Sequence, residues 1–366
     1  MFKLLSGLNI LNISLYKELL IKFILQIMFI FKLLKSILCL TNILFTSGEV
    51  SQNIHQNIDE FRIVGWYNGD QAGITNIPWD KYTHIVTGTP IQYSNGSIAC
   101  NHNDTITQTI VELAHEHNRV VQWRNSVDVI QGVFNRSAKE YRDNFFNSLL
   151  SAMDDCNIDG IEFDFEWHYR FLDKIGIVLP KYADMYTDFL ANVKSQIPNR
   201  IVSADIGVWG CCDLTDGYPL GITPWINATK FNAGAFDFVN SMSYHHPKNL
   251  SIDRWFIDAV IMDKLWKFNL SNVNLGVPYF SVNSSFFKIN SEPTWASYSH
   301  YCPNMPDEQN ICNGITFVGK ELNYMIGYVS VELGFGGVFP WTLNYDSFEN
   351  NNTLIDYLYN GIYRNI

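Results

Sequence analysis

Eight strand-like runs recur along this chain, at residues 62–67, 83–89, 119–123, 158–165, 201–208, 236–244, 273–280 and 337–343. Between and after them lie helical patterns, clearest at 105–117, 138–156, 181–197, 252–268, 316–333 and 353–363. A chain that alternates strand and helix eight times can bury both by closing its strands into one parallel barrel and ringing it with helices. The expected fold is therefore α/β, a (β/α)8 barrel. No internal repeat, low-complexity linker or composition break divides the segment after residue 48, so one domain over residues 49–366 is the simplest organisation.

The fourth run carries the chemistry. From Asp159 the chain reads Asp-Gly-Ile-Glu-Phe-Asp-Phe-Glu, ending at Glu166 and followed by Trp167. Side chains on a strand alternate between faces, so Glu162, Asp164 and Glu166 share one face and Ile161, Phe163 and Phe165 fill the other. Three carboxylates in one enclosed space repel, and at least one must hold a proton near neutral pH and be able to donate it. A solvated acidic edge would not need so bulky a reverse face. A calcium loop would need a turn glycine within the acidic series and a different ligand spacing.

This run resembles the Asp-x-x-Asp-x-Asp-x-Glu signature of glycoside hydrolase family 18, the chitinases, chitobiases and related endo-N-acetylglucosaminidases. The position of Glu162 is usually Asp, a departure that points to a di-N-acetylchitobiase-like member more than to a typical chitinase. Other segments carry the resemblance over most of the chain. Met242-Ser243-Tyr244 matches the end of the family's sixth strand, with His245 standing where the family has Asp. Gly336-Gly337-Val338-Phe339-Pro340-Trp341 matches the last strand, Leu275 to Phe280 the seventh, and Val64-Gly65-Trp66-Tyr67 the first.

The resemblance implies a mechanism and a cast. Carboxylates on a single strand cannot straddle a sugar ring, so the 2-acetamido oxygen of the substrate acts as the nucleophile. Glu166 is then the general acid and base, and Asp164 holds the acetamido N–H and the charge of the intermediate. Glu162 shares a proton with Asp164. Tyr244 hydrogen-bonds the acetamido carbonyl, and Trp341 forms an apolar floor beneath the reacting ring. Tyr67, His245, Tyr279 and Asp159 complete the expected sugar-binding set. Asp205, on the fifth strand, is read either as pointing inward or as a buried capping or ion-pairing residue.

The implied substrates are N-acetylglucosamine oligosaccharides, either chitin fragments or the chitobiose core of N-glycans. An endo-N-acetylglucosaminidase specific for protein-linked N-glycans and a catalytically inactive lectin on the same barrel are the alternatives, the lectin disfavoured by the presence of Glu166. The chain between the seventh and eighth strands is too short for an added sheet domain, which points to a shallow cleft and short substrates.

Other chemistries find no support. A net charge of −11 and no Lys/Arg cluster argue against nucleic acid. His115-Glu116-His117 cannot place both histidines on one helix face at i, i+4, and His245-His246 lacks partners at ligand spacing, so no metal is expected. Without a phosphate-cradling glycine loop, a Gly-x-Ser-x-Gly elbow or a Cys-x-x-Cys, no cofactor is implied either.

Residues 1–48 differ from the rest. They are rich in Leu, Ile and Phe, interrupted by lysines that keep any apolar run below the roughly 18 residues a spanning helix needs. Counted from Met28, Lys32 and Lys35 make a positive region, 36–45 an apolar one, and Thr46-Ser47-Gly48 a cleavage site, so a signal peptide with a true start at Met28 is expected. An uncleaved signal anchor is the competing reading, and the only one that brings a stable membrane partner. Sequons at Asn95, Asn103, Asn135, Asn227, Asn249, Asn269, Asn283 and Asn351 agree with a secreted or lysosomal glycoprotein. So do Cys100, Cys156, Cys211, Cys212, Cys302 and Cys312, an even set suited to disulfides. Cys302 with Cys312 is the first expected pair, and Cys211 and Cys212 reach separate partners.

Overall fold

Parallel strands close on themselves in the computed structural model, which describes residues 60–69, 71–126, 139–165, 180–208, 224–244, 251–281, 297–312, 315–347 and 353–364. The expected leader lies outside the described residues, as do Cys211 and Cys212. Asn57–Ile366 packs as one unit. The strands are β1 (Arg62–Trp66), β2 (His84–Thr87), β3 (Ile91–Gln92), β4 (Ile98–Ala99), β5 (Val120–Ser126), β6 (Gly160–Asp164), β7 (Ile201–Ile206), β8 (Phe238–Ser241), β9 (Val273–Pro278), β10 (Ile311–Cys312), β11 (Ile315–Thr316) and β12 (Gly337–Trp341). Eight of them form a closed barrel in the order β1-β12-β9-β8-β7-β6-β5-β2, all neighbours parallel. Each of the eight runs read from the sequence supplies one barrel strand. The pairs β3–β4 and β10–β11 are small antiparallel ribbons outside the barrel.

Helices α1 (Thr105–Glu116), α2 (Lys139–Asp155), α3 (Pro180–Gln196), α4 (Ala228–Asn232), α5 (Asp253–Val260), α6 (Tyr298–Tyr301), α7 (Lys320–Glu332) and α8 (Leu354–Tyr363) accompany them. The pattern at 252–268 resolves into α5 and a π-helical stretch, Ile261–Leu265. The one at 316–333 starts later, at Lys320, because Ile315 and Thr316 pair with β10.

Helix-to-strand turns use one local device. Asn118, Asn157, Gly234 and Gly334, just after α1, α2, α4 and α7, all take positive φ (56°, 53°, 84° and 78°). Asn and Gly are the residues that tolerate this left-handed geometry at a helix end, so the sequence itself marks where these four strands, β5, β6, β8 and β12, restart.

The apolar core is the ring of space between strands and helices. Phe163 of β6 meets Phe189 of α3 edge-on at 5.2 Å, and Phe165 lies 5.5 Å from Tyr186. Phe145 of α2 joins them. The barrel axis is different: Arg62, His84, Gln122, Glu162, Ser203, Asp205, Asn240 and Asn274 alternate inward with the apolar residues that face the helices. They satisfy one another across strands. Arg62 Nε donates to Asn274 Oδ1 (2.9 Å), whose amide donates to Asn240 Oδ1 (2.8 Å). Gln122 Nε2 reaches Ser203 Oγ at 2.8 Å, across the strand that lies between them. Gly160 permits this crossing, because a Cβ there would stand 2.9 Å from Gln122 Cγ and 2.7 Å from the Ile201 carbonyl oxygen.

Two disulfides among the described residues fasten the periphery. Cys302–Cys312 is the expected pair, and Cys100–Cys156 ties the residue after β4 to the end of α2. No helix among the described residues is long and apolar enough to cross a membrane.

Candidate active site

Register places the acidic strand. Glu162 pairs with Arg124 on β5 and Ser203 on β7, so all three face the axis, and Asp164, two residues on, lies at the carboxyl end of β6. Glu162 is sealed, with no exposed surface, whereas Asp164 is half-buried. Glu166 and His245 lie outside the described residues.

The partner of Glu162 departs from expectation. Its Oε1 accepts the indole N–H of Trp66 at 2.8 Å, a bond that crosses the axis from β1. Its carboxyl hydrogen-bonds that of Asp205 on β7, where the sequence reading paired it with Asp164. Asp205 comes within reach because Ser203 sits opposite Glu162 and Asp205 is the next inward residue of the adjoining strand. Burial pushes both carboxyls up from their ordinary range, and Asp205 is raised well above it, helped by the negative charges of Glu162 and Asp164. Arg124 works the other way on Glu162, favouring its ionised form. Its guanidinium carbon lies 5.5 Å from the centre of the Trp66 ring, and its Nη1 donates to Asn68 Oδ1 at 3.0 Å.

An aromatic group stands at the carboxyl ends of β8 and β12. Tyr244 and Trp341 lie nearly parallel, 6.1 Å apart with 26° between planes, and Phe280 packs edge-on to both at 5.6 Å and 5.2 Å. Tyr345 meets Trp341 at a right angle, 6.1 Å away. These contacts fix the orientation of Trp341, which remains partly open while Tyr244 is 5% exposed.

Three expected sugar-binding residues are elsewhere. Asp159 precedes β6 at the amino-terminal end of the barrel, opposite the strand ends that carry Asp164 and Trp341. There its Oδ2 accepts from His115 Nε2 and the Val121 N–H, both at 2.8 Å, with Arg200 3.7 Å from Oδ1. It fastens α1 and β5 to β6. Tyr67 and Tyr279 fail by strand parity: Trp66 and Pro278 occupy the inward positions, so the residue after each turns to the outer side. Tyr279 is completely buried, near Tyr82 and Asp346. The end of the Tyr67 ring is covered by Gly69, where a Cβ would lie 2.7 Å from its hydroxyl.

Trp66 and Arg124 are the residues that motif reading passed over, and Asp205, left between an inward and a capping role, takes the inward one. The signal for them was present as period two: on β1, β5 and β7 they share the inward face already assigned to Glu162 on β6. A possible cation cluster of Cys100, His102 and Asp155 is ruled out as a metal centre, because Cys100 is committed to its disulfide.

No protein-family model matches the chain, and no curated protein matches it by sequence. Solved structures do match. A chitinase from Bacteroides thetaiotaomicron superposes with a TM-score of 0.64 at 16% identity, covering 83% of this chain and 97% of that one. A GH18 chitinase from the chitin utilization locus of Flavobacterium johnsoniae gives 0.61 at 18%, covering 82% and 94%. The second catalytic domain of the Ostrinia furnacalis Group II chitinase, solved in complex with penta-N-acetylchitooctaose, gives 0.59 at 15%, covering 84% and 97%. With its closed eight-stranded barrel and these neighbours, the chain has the chitinase-like fold of glycoside hydrolase family 18.

Proposed function

We propose that the protein is a retaining glycosidase that cleaves β-1,4-linked N-acetylglucosamine through the 2-acetamido group of its substrate. The observation that carries this is the unequal setting of its carboxyls. Glu162 and Asp205 are sealed in the axis, and Asp164 alone among the described acids of β6 opens toward the carboxyl-end mouth. An open carboxylate at that depth suits substrate assistance, where one group must orient the acetamido nitrogen.

In this reading the acetamido oxygen attacks the anomeric carbon while Glu166 protonates the leaving oxygen. Asp164 accepts from the acetamido N–H and balances the positive charge of the cyclic intermediate. Tyr244 donates to the acetamido carbonyl, and Trp341, held by Phe280 and Tyr345, offers its open face to the sugar ring. Glu166 then acts as base toward water. The chitinase names of the structural neighbours support chitin-like oligosaccharides as substrates, with the N-glycan chitobiose core as the second class of the same chemistry. The two disulfides support passage through an oxidising secretory compartment, secreted or lysosomal.

The test is sugar release from chitotriose and from a free N-glycan by the protein and its Glu166→Gln variant. Turnover by the first, and binding without turnover by the second, is the expected result. Binding by both with turnover by neither would make the barrel a lectin.

A further inference from the structure

Glu162 and Asp205 come from adjacent strands, are both buried and hydrogen-bond each other. Ionised carboxylates are acceptors only, so a bond between two of them requires a proton, and the pair carries one negative charge. Each acid also has one buried oxygen without a donor among the described residues, Oε2 of Glu162 and Oδ1 of Asp205. One proton shared between the acids supplies both.

The neighbours decide where that proton resides. Glu162 receives the Trp66 N–H, a donor that cannot reverse its role, and stands in register with Arg124. The charged or titratable groups facing the pair among the described residues are Arg124 from β5, Asp164 from β6 and Tyr186 from α3, while β1 and β8 contribute the neutral Trp66 and Asn240. The cation and the indole donor act on Glu162. The additional anion, Asp164, acts on Asp205.

We propose that Asp205, from outside the acidic strand, is the resident proton holder of the barrel axis, and that Arg124 is the positioning residue that keeps Glu162 ionised. The inference deepens the glycosidase reading in one respect only: with a neutral acid beside it on β7, Asp164 is the acid that carries the charge that reading requires. The proton's place itself does not depend on turnover.

Infrared difference spectra at pH 7 test it directly. Unmodified protein minus Asp205→Asn should show the loss of a protonated carboxyl band, and unmodified protein minus Glu162→Gln the loss of a carboxylate band. Any other assignment, the reverse pattern or carboxylate loss in both, overturns the proposal. Should either variant fail to fold, neutron diffraction of the unmodified protein locates the deuteron: on Asp205 it upholds the proposal, on Glu162 or on neither it overturns it. For Arg124, the pH at which the Glu162 carboxylate band appears should rise by about one unit in Arg124→Met and return in Arg124→Lys. An unmoved titration would remove Arg124 from the scheme. These readouts need no catalysis, so a failure of the glycosidase reading is seen separately, as absent sugar release with the spectra intact.

Discussion

His84 lies low in the barrel, its ring edge-on to Phe238 at 5.6 Å and Arg62 stacked over that same phenyl ring at 4.8 Å. Burial and the Arg62 charge hold the imidazole down to about 3. The folded state therefore refuses a proton that the unfolded chain accepts near pH 6.5. Its contribution to stability is complete above pH 6.5 and is lost as pH falls from there toward 3, with a slope of up to about 1.4 kcal/mol per pH unit. Glu162, Asp205 and Asp346, whose carboxyls are raised, slope the opposite way, so the comparison must be with a variant. Denaturation free energies of His84→Gln between pH 6.5 and 3 should fall less steeply than those of the unmodified protein; parallel slopes would contradict a neutral His84. Single residues were also the level at which sequence reading was most uneven. Glu162 and Asp164 stood out because three acids in alternation have few other meanings. Asp205, one acid in the apolar setting of Ile201–Ile206, reads the same whether it caps a helix or faces the axis, and only the register of β6 against β7 separates the two.

Elements were legible where their periodicity was long and their ends carried punctuation. The closing helix α8 is an example: Thr353 and Asp356 form a reciprocal cap at its start, and Asp356 also meets Lys81. What holds this end was not legible. Asp346, well upstream, turns its buried carboxylate onto the N–H groups of Ser347, Leu354 and Ile355 at 2.8–2.9 Å. The three donors resist its protonation, but burial still pushes the carboxyl up to about 6. Asp346→Ala strands these N–H groups in the interior and should cost about 3 kcal/mol. Chemical denaturation measures this, and a loss below about 1 kcal/mol would mean water replaces the carboxylate. The same limit explains Tyr67 and Tyr279. Their strands were found at the right places, yet a candidate side chain inherits its face from parity, and a one-residue difference sends it to the other side of the sheet.

At the scale of the molecule, the chain closes its barrel from residues far apart and then pins two peripheral loops. Cys100–Cys156 spans 56 residues and Cys302–Cys312 spans 10. Loop-closure entropy predicts that removing the longer link, as the double Cys→Ala variant, destabilises by about 4 kcal/mol, and the shorter by about 3 kcal/mol. Unfolding of the two double variants tests the order; a larger effect at Cys302–Cys312 would place its contribution in the native state. The barrel as a whole was legible because strand and helix alternate along the segment after the leader, and Asn and Gly turns mark four of the restarts. The pairing of Cys100 with Cys156 was not, since spacing favours near neighbours and these cysteines meet only through the packing of β4 on α2.

The polar axis carries one more consequence. Because most of the greasy packing of this protein is a sleeve around the barrel and its centre carries a column of amides, acids and a guanidinium, the polar residues of the axis are mostly not the residues that hold the chain together. A lineage can therefore rewrite the column, exchanging Glu for Asp or moving a charge from one strand to the next, while the sleeve goes on folding. Such a division gives evolution a scaffold on which new chemistries can be tried with little risk to the fold.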